Sequence, residues 1–230
     1  MKDNSKDRQY KRLFQRLTYS VLEVNKICNF LGKDLVVGVS GGLDSLSLYT
    51  FLKEYYKARG FKGRVYGVNV VLGKGKLFPV KLDDVVNIYP PVENFEDFNC
   101  SFCSRKRKIE LFSFCEERGI RFIALGHIAN DFAENFVWNA MYHKRLESMS
   151  IVRNYFNGKF FIVRPFAFVF KEEILKFARL NGLKDIQIKC ELKNKLRQDV
   201  RDFLKKMDTK EVSVYKNLFD IITKNQFYGE

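Results

Sequence analysis

The stretch Val36-Val37-Gly38-Val39-Ser40-Gly41-Gly42-Leu43-Asp44-Ser45-Leu46 constrains the fold more than any other. A β-branched apolar run breaks at paired glycines and resumes with helical spacing, so a buried strand must turn sharply into a helix. At such a turn several backbone N–H groups and the positive end of the helix can face one anion, and a phosphate fits there. The stretch is not a Walker loop, because no Gly-Lys-Ser/Thr follows, and its glycine spacing is not that of the dinucleotide fingerprint. An ordinary strand–turn–helix junction is the bland alternative.

With those residues in place, Ser40-Gly41-Gly42-Leu43-Asp44-Ser45 resembles the pyrophosphate loop of the PP-loop ATP pyrophosphatases. Those enzymes cleave ATP between the α and β phosphates and adenylate a substrate oxygen. The resemblance implies that Ser40, Gly41, Gly42 and Ser45 cradle pyrophosphate and that Asp44 helps place Mg²⁺.

A chain of 230 residues is long enough to bury a full core, as one large domain or one domain with a helical extension. Its formal net charge of +14, from 41 Lys and Arg against 27 Asp and Glu, points to a polyanionic partner. No apolar stretch reaches the roughly 18 residues that a membrane span needs. The polar N-terminus does not read as a signal peptide, and the expected location is the cytoplasm. Five cysteines, an odd number, suit thiols for metal or chemistry plus packing residues better than a disulfide framework.

Along the chain, Leu13, Leu17, Val21, Val24, Ile27 and Cys28 recur at helical spacing, which predicts a helix from about Arg8 to Phe30 with Cys28 on its apolar stripe. After the glycine turn a helix from Leu46 to Ala58 ends near Gly60, and Arg64 to Leu72 reads as a second buried strand, the start of a parallel sheet. The interval from Gly73 to Asp83 is hard to read as a crossover helix, so Asp84 to Tyr89 is expected as a short edge strand. A helix from Asn99 or Ser101 to about Arg118 follows, then a strand over Arg121 to Leu125, a helix over Ala129 to His143, a strand over Phe160 to Val163 and a helix over Lys171 to Asn181 stopped by Gly182. Ile186 to Cys190 reads as extended, and two Lys- and Arg-rich helices complete the chain. The expected division is an N-terminal helix over 1–30, an ATPase domain over 31–190 and basic helices over 191–230 packed on that same domain.

His127 stands at the C-terminal end of a strand, where open α/β sheets place their ligands. With it, Val68 and Asn69 of the second strand, Gly126 and Asp131 complete the candidate nucleotide-binding set. Cys100 and Cys103 open a helix beside the basic run Arg105-Lys106-Arg107-Lys108, where thiolates are favoured. Cys115 falls among Leu111, Phe112 and Phe114 and reads as core. If Cys190 joins the pair, three thiolates are one short of a closed zinc site, whereas a [4Fe-4S] cluster on three cysteines keeps one iron open. A redox dithiol with Cys190 as a separate thiol is the alternative.

In order, Ser-Gly-Gly-Leu-Asp-Ser, Cys-Ser-Phe-Cys-Ser-Arg, Leu-Gly-His with Asp131, Val-Arg-Pro and Lys-Cys resemble the tRNA 2-thiocytidine synthetase (TtcA) family from about Lys11 to the last helix. The resemblance implies a Rossmann-like parallel α/β sheet of the PP-loop type and a [4Fe-4S] cluster on Cys100, Cys103 and Cys190. It implies ATP and Mg²⁺ as cofactors, tRNA and a sulfur donor system as partners, and catalytic roles for Asp44 and the three cysteines. The base's C2 oxygen would attack the α phosphate, and sulfide would then displace AMP. Arg164 and the Arg105 to Lys108 run are candidates for phosphate contacts. A homodimer is left open.

Departures from the family pattern are local. Its Gly-His-His is Gly126-His127-Ile128 here, and Cys190-Glu191-Leu192-Lys193 keeps only the first member of a second Cys-x-x-Cys. The stretch between the second and third strands is short, and the paired zinc ribbons of the related 2-thiouridine enzymes are missing, which counts against the uridine branch. The rival readings are a lysidine-type ligase, which would not need the cysteines, sulfuration of another nucleoside or small molecule, and a non-catalytic iron–sulfur or RNA-binding protein.

Overall fold

A computed structural model describes residues 4–72, 80, 82, 84–91, 100–186, 195–209 and 211–229, apart from the side chains of Asn4, Ser5, Cys100 and Lys195. In chain order the elements are α1 (Asn4–Cys28), β1 (Leu35–Gly38), α2 (Leu43–Arg59), β2 (Val65–Val70), β3 (Val85–Ile88), α3 (Cys100–Glu117), β4 (Phe122–Leu125), α4 (Ala129–His143), β5 (Val152–Tyr155), β6 (Phe160–Val163), α5 (Lys171–Leu180), α6 (Lys195–Met207) and α7 (Val214–Lys224).

The six strands form one sheet in the order β3-β2-β1-β4-β6-β5. All neighbours run parallel except β5, which pairs antiparallel with β6. Both faces are covered, so the strands are apolar on both sides. Val36, Val68, Val70, Ile123 and Ile162 face α3 and its Leu111, Phe114 and Cys115. Leu35, Val37, Ala124 and Val163 belong to the opposite layer with residues of α1, α2, α5 and the loop before α5, among them Phe51, Phe166 and Phe177. The strand order reverses between β1 and β4, and an open α/β sheet binds its ligands beyond the strand ends at such a switch point.

Helix α1 is tied to the loop before α5 by polar groups as well as by its apolar stripe. The buried Ser20 hydroxyl donates to the Pro165 carbonyl at 2.7 Å and accepts from the Phe168 amide at 3.1 Å. Arg16 donates to the Phe168 carbonyl at 2.7 Å and pairs with Glu173 at 3.1 Å. Among the described residues no helix is long and apolar enough to cross a membrane.

The expected elements are all present where the residues are described, with ends shifted by a few positions. The Asp84 to Tyr89 edge candidate is β3, parallel to β2 and in register from Gly67–Val85 to Val70–Ile88. Strand β5 was not anticipated. It is joined to β6 through Phe156, Asn157 and Gly158, all with positive φ. Asn-Gly between two apolar runs is a hairpin signal, and only glycine takes φ of +81° at position 158 without strain. The intervals 73–79 and 92–99, and 187–194 with Cys190, lie outside the described residues.

Candidate nucleotide site

At the switch point the C-terminal ends of β1 and β4 stand level, since Gly38 is in register with Leu125, while β2 pairs through Val68 and runs on to Val70. The turn between β1 and α2 closes on itself. The Ser45 hydroxyl donates to the Gly42 carbonyl at 2.9 Å and accepts from the Ser40 amide at 3.1 Å. Gly41 has φ of +86°, and its carbonyl accepts from the Ile186 amide at 3.1 Å. Helix α2 begins immediately after, so its first-turn amides have no intrahelical acceptor and, together with the helix dipole, favour an anion.

The close fit of this turn against β4 depends on Gly126. A Cβ there would lie 2.8 Å from Ser45 Cα and 2.9 Å from its nitrogen, both backbone atoms of the helix start. Any side chain at 126 must push the anion-binding turn out of place.

A cleft of about 590 Å³ opens over these strand ends, within the range that encloses one small ligand. Of the ten residues expected to hold the nucleotide, nine line it: Ser40, Gly42, Asp44, Ser45, Val68, Asn69, Gly126, His127 and Asp131. Gly41 does not; its contribution is the backbone turn. Cys103 also lines the cleft, in the first turn of α3. The other described thiols do not line it. Burial pushes Cys28 up to about 11 and Cys115 up to about 12, so neither is a thiolate at neutral pH. Among the described residues no three or more His, Cys, Asp or Glu converge as a metal site. The expected trio of Cys100, Cys103 and Cys190 has only the Cys103 side chain within them.

The acidic side of the cleft carries Asp44 and Asp131. Lys171, the first residue of α5, holds both Asp44 oxygens, at 2.7 and 3.0 Å. Asp131 accepts from the Ile128 amide at 2.9 Å, which fixes the start of α4. Burial pushes the Asp131 carboxyl up to about 7, opposed by the Ile128 amide and reinforced by the negative charges of Asp44 and Glu134. Deeper in α4, Glu134 accepts the Arg201 Nε–H, shared between its two oxygens at 2.9 Å, and a second bond from Nη2 at 2.7 Å, clamping α6 onto the domain. Two carboxylates facing a phosphate-binding turn suit Mg²⁺, which is held by one or two carboxylates and substrate phosphates.

The opposite wall is basic. Arg107 and Lys108 come from α3, Arg153 from β5 and Arg164 from the end of β6. Burial, then the charges of Arg153, Arg164 and Arg105, push the Lys108 ammonium below its ordinary value. The Arg107 Nε is buried and has no hydrogen-bond partner among the described residues. Arg164 donates through Nε to His127 Nδ1 at 3.2 Å and through a second nitrogen to the Ser150 carbonyl. Burial, followed by the Arg164 charge, pushes His127 down to about 3, so its ring is neutral with the proton on Nε2. With Nδ1 accepting from Arg164, the ring presents Nε2–H as its hydrogen-bond donor.

Sequence reasoning missed Lys171, Arg153 and Tyr155. Arg153 and Tyr155 reach the cleft on the unanticipated hairpin, which its Asn157-Gly158 turn could have revealed. Lys171 carries no local signal, since it meets Asp44 only through the tertiary fold.

No protein-family model matches the chain. The tRNA-cytidine(32) 2-sulfurtransferase of Geotalea daltonii is 24% identical over 96% of this chain and 94% of its own length. The enzyme of that name from Syntrophotalea carbinolica is 29% identical over 69% of this chain and 67% of its own. The chain is similar to the tRNA 2-thiocytidine synthetase family along nearly its whole length. Among solved structures, the U34-tRNA thiolase NcsA from Methanococcus maripaludis with its [4Fe-4S] cluster superposes with a TM-score of 0.66 at 18% identity, covering 93% of this chain and 79% of that one. The NAD⁺ synthetase of Burkholderia pseudomallei superposes with a TM-score of 0.52 at 15% identity, covering 94% and 89%. The fold is the Rossmann-like type of the PP-loop proteins.

Proposed function

We propose that the protein is an ATP-dependent tRNA sulfurtransferase that converts a cytidine to 2-thiocytidine. The observation that carries this reading is the single cleft lined by the Ser40 to Ser45 turn, Asp44, Asp131 and the Cys103 thiol, in a chain similar to cytidine sulfurtransferases.

In this reading the turn amides and the Ser40 and Ser45 hydroxyls bind the β and γ phosphates of ATP, and Val68 and Asn69 flank the nucleoside. Asp44, with Asp131 beside it, would hold Mg²⁺, which neutralises the phosphates. Lys171 then moves from Asp44 to a phosphate oxygen, leaving Asp44 free for the metal. The cytidine O2 attacks the α phosphorus, the bond from that phosphorus to the bridging oxygen breaks, and pyrophosphate leaves. A sulfur nucleophile next bonds to C2 as the carbon–oxygen bond to AMP breaks. His127 Nε2–H donates to an oxygen that gains charge, and Arg164 holds the ring in that orientation. The chain's main contribution is proximity and charge neutralisation.

Cys100, Cys103 and Cys190 would hold a [4Fe-4S] cluster, a fit supported by a thiol that faces the cleft at a helix start beside basic residues. When bound, such a cluster supplies an open iron that can carry sulfide. The division into an N-terminal helix over 1–30, an ATPase domain over 31–190 and basic helices over 191–230 belongs to the same reading. So do a cytoplasmic location, a separate sulfur donor system and pairing of the chain with itself.

Anaerobically prepared protein supplied with ATP, Mg²⁺, sulfide and tRNA should release AMP and pyrophosphate and form 2-thiocytidine. ADP as the main product, or AMP release with unmodified tRNA, would contradict the reading.

A further inference from the structure

Lys171 breaks a local rule. It is the first residue of α5, and the same first turn carries Glu172 and Glu173, as suits the positive end of a helix. A cation there opposes the helix dipole, and its pair with Asp44 is partly exposed, so it adds little stability in return. A residue that departs from local preference without a matching gain in stability points to function.

The turn that carries it is nonetheless fixed. The Lys171 amide donates to the Asn130 side-chain oxygen at 2.9 Å, the Phe170 amide donates to Glu173 at 2.8 Å, and Glu173 pairs with Arg16 at 3.1 Å. Helices α4 and α1 thus hold the backbone, and the part of Lys171 free to move is its flexible four-carbon stem.

Among the described residues Asp44 and Asp131 are the carboxylates that line the nucleotide cleft. The Lys171 ammonium takes both oxygens of Asp44, at 2.7 and 3.0 Å. Asp131 has one oxygen on the Ile128 amide at 2.9 Å and the other 3.9 Å from Arg201 Nη2. An ammonium and a divalent cation cannot occupy the same two oxygens, so Lys171 and a metal compete for Asp44. Asp44 also lies in the first turn of α2, so the positive ends of two helices meet at this carboxylate. A bare cation therefore meets positive potential there, whereas one carried by phosphates brings the negative charge that draws the ammonium away.

We propose that Lys171 is a latch on Asp44 that closes the carboxylate to free divalent metal, so that Mg²⁺ enters with the phosphates of the nucleotide and leaves with pyrophosphate. With Asp44 as the Mg²⁺ ligand of the proposed reaction, on which this latch rests, Lys171 sets the order in which metal and nucleotide arrive.

Mn²⁺, followed as the free ion by electron paramagnetic resonance, is titrated into the intact protein and its variants without nucleotide and again with ATP. Without nucleotide, Lys171→Met and Lys171→Gln should each bind Mn²⁺ roughly three- to tenfold more tightly than the unaltered chain, the scale of removing one partly exposed cation from a carboxylate. Lys171→Arg keeps the positive charge and should keep the weak affinity. Combining Lys171→Met with Asp44→Asn should abolish the gain, which places it at Asp44. ATP should tighten Mn²⁺ binding less in Lys171→Met than in the unaltered chain, where part of the coupling is displacement of the ammonium. Unchanged or weaker binding in Lys171→Met or Lys171→Gln, a gain shared by Lys171→Arg, a gain that survives Asp44→Asn, or an equal effect of ATP overturns the latch. The titration needs neither tRNA nor sulfur. A gain at Asp44 in a protein that forms no thionucleoside leaves the latch standing and removes sulfur transfer, whereas thionucleoside formation without the gain removes the latch alone.

Discussion

On the α4 and α5 side of the cleft the charges are matched within the protein: Asp44 with Lys171, and Glu134 with Arg201. On the α3 and β5 side Arg107, Lys108 and Arg153 crowd together, and none of them pairs with a carboxylate among the described residues. Matched charges hold helices in place and can exchange partners when a metal arrives. Like charges crowded together repel one another until an anion is supplied. In the proposed reading the first wall serves Mg²⁺ and fold integrity, and the second the phosphates that come with the ligands.

The sharpest break of this comparison is at Asp44. Asp44→Ala should reduce AMP formation by on the order of 10²- to 10³-fold, the scale of removing one electrostatic contact to a reacting centre. Its melting temperature should hardly move, because the pair with Lys171 is partly exposed and such pairs contribute about 0–1 kcal/mol. Steady-state assays beside thermal melts check both halves; equal loss of activity and fold would make Asp44 structural.

Next in size is the contrast between thiols. Iron and sulfide assays after anaerobic preparation should show that Cys100→Ala, Cys103→Ala and Cys190→Ala each lose or destabilise the cluster, while Cys28→Ala and Cys115→Ala retain it. Stoichiometric zinc without iron in the unaltered protein would overturn the cluster assignment.

A smaller effect tests the matched wall as a structural device. Glu134→Gln leaves Arg201 half-buried without its carboxylate and should lower the unfolding free energy by about 2 kcal/mol in denaturant titrations. A change below about 0.5 kcal/mol would mean that α6 is held by Val200 and Leu204 alone.

The smallest concerns Asp131, whose folded-state value near 7 lies above the ordinary carboxylate value of about 3.9. A carboxyl raised on folding is most favourable when protonated, so its contribution is full below about pH 4 and is lost as pH rises through 7. Asp131→Asn should thus gain on the unaltered chain between pH 4 and pH 7 and no further above. The difference should be on the order of 1 kcal/mol, since the side chain is 26% exposed. A gap that stays constant with pH would show that Asp131 is ionised throughout.

The sheet and the phosphate turn were legible in the sequence because both rest on local rules. Val36 to Val39 is apolar on both faces, Gly41 takes the positive φ, and the helix start follows within three residues. The basic wall was legible only in part. Its α3 members form a run in the chain, but Arg153 belongs to a hairpin whose strand carries exposed polar residues and no clear alternation. The Asp44–Lys171 pair spans 127 positions, and no periodicity or motif connects residues so distant. Cys115 was marked as core by its apolar neighbours and is buried, while Cys103, marked by its spacing, is half-buried.

Nucleoside mass spectrometry of tRNA tests the central claim most directly, comparing cells with and without this gene and cells complemented with Cys190→Ala. The account predicts that 2-thiocytidine disappears in the deletion, returns with the unaltered gene and stays absent with the variant. Persistence of 2-thiocytidine in the deletion would contradict the assignment to that base. An unchanged profile of every thionucleoside would contradict tRNA sulfuration altogether.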